Sequence, residues 1–225
     1  MLHIYKTSLN GYLGRMNCAL FDLDGTIADT EVLKAKALSE AVHKLGGNSP
    51  SELYKSVMGK SWEVVTSTFL QHSNLKLTLE ELNPLFKTSY SALIESELKD
   101  VRGAASILKW FKERNFKLGL VSSASPWMIE KTLKKLQLPI SFDVIVSNAD
   151  TTKHKPDPEA YLLALSKLNL SAESAIAFED SESGFQAASA ANIKVVGIRH
   201  SYNESHNFKL CHCAYYSFAE YIETL

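Results

Sequence analysis

Two aspartates two residues apart, Asp22 and Asp24, close a short apolar run and are followed at once by Gly25 and Thr26. The i, i+2 spacing puts both carboxylates on one side of an extended chain, and Gly25 lets the backbone turn sharply. Two unpaired acids so close repel, so a bound cation or a shared proton is expected beside them. A second acidic pair, Glu179-Asp180, closes the run Ala175 to Phe178, and hard oxygen donors of this kind suit Mg²⁺. Ser122 and Ser123 close a third apolar run just before Ser125-Pro126, a helix start whose free N–H groups can take an anion. Lys153-His154-Lys155-Pro156 supplies cations that could neutralise a phosphate, with His154 flanking the site rather than acting in it. Each cluster also has a plainer reading: a turn, a serine N-cap, a solvated lysine, an acidic helix start. Their conjunction is what points to chemistry. Four strand-end clusters, in order, supply paired acids, an anion cradle, an ammonium group and a metal site. Phosphoryl transfer needs those parts, because it rests on positioning and charge neutralisation.

The elements that must position these residues can be read from the pattern. Strands are predicted over Asn17 to Phe21, Phe116 to Val121, Asp143 to Ser147, Ala175 to Phe178 and Lys194 to Ile198. Helices are predicted between them, at Ala104 to Phe111, after Ser125, after Asp157-Pro158 and over 182–191. Short apolar strands alternating with helices predict a doubly wound, Rossmann-like parallel sheet covered on both faces. Residues 31–98 differ. Ala35, Leu38, Ala41, Val42 and Leu45 form a helical stripe ended by Gly46-Gly47, and Trp62, Val65, Phe69 and Leu82, Leu85, Phe86 continue helical spacing. Ser49-Pro50-Ser51-Glu52 and Thr78-Leu79-Glu80-Glu81 both fit a capping box. The expected organisation is an α/β core over 17–30 and 99–225, an all-helical cap inserted over 31–98, and an N-terminal extension over 1–16. Ser217 to Leu225 reads as a terminal helix.

Composition bounds the rest. At 225 residues the chain is long enough for one domain with an insertion, and its 45% hydrophobic content excludes a disordered chain. A net charge of −1 gives no argument for nucleic acid or a membrane surface as partner. Three cysteines, Cys18, Cys211 and Cys213, are too few for a disulfide framework and favour a reducing compartment, so a cytoplasmic location is expected. Cys211-His212-Cys213 lacks a zinc spacing. No apolar run is long enough to span a membrane. Nothing in the pattern argues for an oligomer, and a monomer is the default.

The sequence resembles the haloacid dehalogenase-like hydrolases. The matching pieces are FDLDGT at 21–26, LVSSAS at 120–125, KPDPEAY at 155–161 and FEDSESG at 178–184, in the family's order and spacing. The helical insertion resembles the cap of the subgroup that contains β-phosphoglucomutase and small sugar phosphatases. The resemblance implies a nucleophile at Asp22, a general acid/base at Asp24, phosphate binding by Ser122, Ser123 and Lys155, and a substrate-facing loop at Gly59 and Lys60. It implies Mg²⁺ as cofactor, held by Asp22, Glu179, Asp180 and the backbone carbonyl of Asp24. The implied activity is hydrolysis of a small phosphate ester, a sugar or polyol phosphate, through an aspartyl phosphate. A mutase of the β-phosphoglucomutase kind is the alternative. That pattern places a His in the first cap helix and an Arg in the cap loop, where this chain has Lys34 and Trp62. For Lys60, Lys87 and Tyr90 the simpler expectation is a solvated helix face, and for Trp62 packing within the cap.

Overall fold

The computed structural model describes residues 14–76 and 78–225; most of the expected extension over 1–16 lies outside them. Six parallel strands form one sheet: β1 (Cys18–Phe21), β2 (Lys117–Val121), β3 (Val144–Val146), β4 (Ala175–Glu179), β5 (Lys194–Ile198) and β6 (Cys213–Tyr215). Their order is β3-β2-β1-β4-β5-β6. That is the doubly wound order, and it reverses direction between β1 and β4, where a crevice opens beyond the strands' carboxyl ends. The acidic pairs fall at that reversal: Asp22 follows β1 and Glu179 ends β4. β1 is buried along its whole length and pairs with β4 from Cys18↔Ala175 to Phe21↔Phe178, so the two acidic ends lie side by side.

The ends of β1 and β4 are held from below by aromatic packing. Phe21 stacks on Phe178 with ring centroids 4.8 Å apart, and Phe111 and Phe218 close on the pair. Aromatic pairs of this kind contribute about 0.5–1.5 kcal/mol beyond burial. Helices α4 (Ala104–Glu113), α5 (Pro126–Leu136), α6 (Glu159–Leu168), α7 (Glu182–Ala190) and α8 (Phe218–Ile222) cover the sheet.

Between β1 and α4 lie three helices among the described residues, α1 (Glu31–Lys44), α2 (Trp62–His72) and α3 (Leu79–Glu97), and α1 packs on the other two. Ala35, Leu38, Ala41 and Val42 on α1 are buried, as the stripe predicts, and Leu45 is partly buried. Thr78 and Glu81 make the expected capping box. The one expected at Ser49 does not form. Pro50 directs the chain away, Ser49 Oγ donates to Phe69 O at 2.7 Å, and the turn from Ser51 to Ser56 is a 3₁₀ helix. Tyr90 also departs from expectation: it is fully buried and stacks on Phe86 rather than lying on a solvated face. No helix among the described residues is long and apolar enough to cross a membrane.

Candidate active site

Asp22 continues the β1 ladder by donating its N–H to Phe178 O at 2.9 Å, and this fixes its side chain at the crevice. The turn that follows requires Gly25. Its φ is +73°, and a Cβ there would lie 2.0 Å from Asp180 Oδ2. Lys155 Nζ enters from the loop before α6 and donates to Asp22 Oδ1 (2.7 Å), Glu179 Oε1 (2.5 Å) and Val121 O (2.8 Å). Those bonds use all three ammonium protons. Tyr161 adds an O–H donor to Glu179 Oε1 at 2.8 Å. Oxygens of Asp22, Glu179 and Asp180 all lie within 4.8 Å of one another. Behind Asp180, Asn203 Nδ2 donates to its carbonyl at 2.8 Å and His200 Nε2 lies 2.8 Å from Oδ2. Burial keeps His200 below its usual pKa. The Nδ1 of its ring accepts from Tyr202 N–H at 3.2 Å, which puts the ring proton on Nε2, as donor to Asp180.

Asp24 is served from α1 and its N-cap. Thr30 Oγ1 donates to Asp24 Oδ1, and Lys34 Nζ lies 3.0 Å from Oδ2 and 3.1 Å from Glu31 Oε1. Burial works against the Lys34 ammonium, but the facing carboxylates of Asp24 and Glu31 outweigh it and raise its pKa. The Lys155 ammonium is likewise raised, against its burial, by Asp22 and Glu179.

The site therefore gathers five carboxylates (Asp22, Asp24, Glu31, Glu179, Asp180) around two ammonium groups (Lys34, Lys155). Burial pushes Asp22 and Asp180 well above the ordinary aspartate value, Lys155 pulling the first back only in part. A buried acidic set with hard oxygen donors and too few cations fits a divalent cation, and Asp22, Glu179 and Asp180 are placed to hold one. The sign of the pH effect follows. A carboxyl raised on folding binds a proton that the unfolded chain has released. The stability these acids contribute is present at low pH and lost as pH rises from the ordinary value of 3.8 through the raised folded values. A cation that needs both ionised recovers that loss. Thermal melts should show a Mg²⁺-induced rise in Tm that grows as pH is raised above the ordinary aspartate value of 3.8. A rise independent of pH would contradict this charge balance.

A cavity of about 490 Å³ opens at these groups and is lined by Asp22, Asp24, Lys34, Lys155 and Asp180. Ser123, Ala124 and Ser125 also line it. Ser122 is buried, and its hydroxyl accepts from Ala124 N–H at 3.0 Å, bracing the loop that presents Ser123. Ser125 caps α5 through its backbone, while its hydroxyl is buried without a partner among the described residues. His154 lines the cavity, whereas Lys153 does not and pairs with Asp157 at 3.6 Å. Gly59 (φ +77°) brings its loop against the residues after β4, where a Cβ would sit 3.2 Å from Ser181 Cβ; Gly59 and Lys60 both line the cavity. Trp62 packs on Phe86, as expected, and is also part of the cavity wall, as is Lys87.

The sequence profile of the haloacid dehalogenase-like hydrolases matches residues 19–198. The chain belongs to that family. It is 31% identical over 190 residues to the phosphorylated carbohydrates phosphatase of Thermotoga maritima, covering 84% of this chain and 88% of that one. Among solved structures it is similar to CbbY from Rhodobacter sphaeroides in complex with phosphate, with a TM-score of 0.81, 27% identity and coverage of 91% and 96%. It is also similar to a structure from Thermotoga maritima described as a β-phosphoglucomutase, with a TM-score of 0.71, 31% identity and coverage of 83% and 87%.

Reasoning from strand ends missed Thr30, Glu31, Tyr161, His200 and Asn203. His200 had a usable signal: it lies two residues beyond β5, at the same edge of the sheet as the other clusters. Tyr161 stands six residues after Lys155, in the KPDPEAY stretch itself. Thr30 and Glu31 stand where the helical insertion begins and carry no motif of their own.

Proposed function

We propose that the protein is a Mg²⁺-dependent phosphomonoester hydrolase acting on a small phosphorylated sugar or polyol through an aspartyl phosphate on Asp22. One observation carries the reading: Asp22 and Asp24 line one cavity together with Lys155, whose ammonium holds Asp22 at 2.7 Å. A carboxylate beside a buried ammonium and another carboxylate beside a hydrogen-bonding Thr suit two different roles. Asp22 attacks phosphorus and forms an acyl phosphate, and the bond to the leaving oxygen breaks. Asp24 gives that oxygen a proton, then takes one from the water that attacks phosphorus and frees Asp22. Lys155, exchanging one of its three present acceptors for the ester, binds the phosphoryl oxygens together with Ser122 and Ser123 and takes up their charge. Asp22, Glu179, Asp180 and the carbonyl of Asp24 would hold Mg²⁺, which when bound supplies the positive charge that lets an anionic nucleophile approach an anionic ester.

Residues 31–98 serve as the cap that excludes water over a core of 17–30 and 99–225. The contact of Gly59 with Ser181 supports that reading. Relatives named as phosphatases support hydrolysis. The likeness to a structure described as a β-phosphoglucomutase favours a mutase as second reading. Lys34 and Trp62 weigh against it, standing where the mutase pattern has His and Arg. Three free cysteines support a cytoplasmic location. Chelation tests the cofactor. EDTA should lower turnover of a phosphate ester by at least ~100-fold, and excess Mg²⁺ should restore it. Full activity in EDTA would remove Glu179 and Asp180 from the ligand set.

A further inference from the structure

The cavity is not acidic throughout. Its wall carries two indoles, Trp62 on α2 and Trp127 on α5, with Phe86, Met58 and Met128 beside them. Trp62 is pinned: its Nε1–H donates to Asn83 Oδ1 at 3.0 Å, and its ring lies 4.6 Å from that of Phe86 at 52°. Trp127 is held from another side, with Lys87 Nζ 5.1 Å from its ring centroid. These indoles are half-buried, so they complete the packing and still border the cavity. Around them stand Lys60, Glu63, Asn83 and Lys87, a rim of mixed donors and acceptors.

A two- or three-carbon ester anchored at Asp22 would leave much of about 490 Å³ unfilled and the cavity-facing surface of the indoles uncovered. A saturated ring matches the wall better. Its C–H face covers an aromatic surface, and its outward hydroxyls meet the polar rim.

We infer that the leaving group of the substrate is a closed polyhydroxylated ring, a pyranose or a cyclitol, selected by Trp62 and Trp127 over open-chain esters. This rests on the hydrolase reading and narrows its substrate class. Trp62 acts as a specificity-determining residue and takes no part in the bond-making steps.

The test compares two esters that share the phosphorylated carbon and differ in ring closure, glucose 6-phosphate and its reduced open-chain form, glucitol 6-phosphate. Acetyl phosphate and FMN are run alongside, with Mg²⁺ throughout. Wild type should favour glucose 6-phosphate at least about tenfold in kcat/KM, equivalent to about 1.4 kcal/mol, mainly through KM. In Trp62→Ala the ratio should fall below about threefold, while Trp62→Phe retains most of it. Each ratio is taken within one protein sample, so a partly folded variant does not distort it. Equal use of the two hexose esters, or a ratio unmoved by Trp62→Ala, would overturn the inference. So would FMN hydrolysed faster than glucose 6-phosphate. Acetyl phosphate hydrolysed without any ring preference would sink the inference and keep the hydrolase; acetyl phosphate and both hexose esters all left intact would remove both.

Discussion

Replacing Asp22 by Asn should abolish turnover and leave the fold in place. The substitution keeps the shape of the side chain and removes the nucleophilic oxygen, and with it the acyl phosphate route. Losing a covalent nucleophile costs orders of magnitude, so a fall in kcat of at least about 10³-fold is expected. Stability should move little, because two effects oppose. The ion pair from Lys155 to Asp22 at 2.7 Å is lost, while Glu179 still faces the ammonium at 2.5 Å. In return, a carboxylate whose burial is unfavourable disappears from a site crowded with acids. Steady-state kinetics and a thermal melt of the same preparation check both halves. A variant with turnover near wild type would take the nucleophile away from Asp22.

Lys155→Met should fail in activity and in stability together. The ammonium is the counter-charge shared by Asp22 and Glu179 and also donates to Val121 O. Methionine fills a similar volume and leaves two buried carboxylates facing each other. Removing one partner of a buried ion pair costs about 3–5 kcal/mol. For a chain of this length that is a fall in Tm of roughly 6–20 °C. Turnover should fall by at least about 100-fold, since the charge on the equatorial oxygens loses its ammonium. The stability loss should shrink when Mg²⁺ is added, because the cation supplies part of the missing positive charge. A Tm within a degree or two of wild type, without Mg²⁺, would show that the pair does not carry the site's charge balance.

Much of the fold was legible because β1 to β5 are short apolar runs closed by a polar residue. β1, β2, β4 and β5 fell where the runs were, and the helical stripe of α1 gave its buried face. Thr78 and Glu81 read correctly as a capping box because nothing in the backbone opposed it. Ser49 misled for the opposite reason: Pro50 occupies the position after it and the hydroxyl finds Phe69 O instead. The site was legible where a residue lies beside its strand end, as Asp22, Lys155 and Asp180 do. It was not where topology alone brings residues together. Lys34 is ten residues from Asp24 in sequence, and only the turn at Gly25 and the course of α1 return its ammonium to that carboxylate. His200 and Asn203 reach Asp180 because β5 pairs with β4, an adjacency that strand patterns do not state. Tyr90 continues the stripe of Leu82 and Phe86 at helical spacing, and packing between α3 and α5 completes its burial.

The most direct test of the hydrolase is ³¹P NMR of the purified protein with Mg²⁺ and a mixture of small phosphate esters that includes β-glucose 1-phosphate and glucose 6-phosphate. Growth of the inorganic phosphate signal as an ester signal fades, absent in the Asp22→Asn protein, is the predicted result. Conversion of β-glucose 1-phosphate to glucose 6-phosphate without free phosphate would contradict it and make the enzyme a mutase.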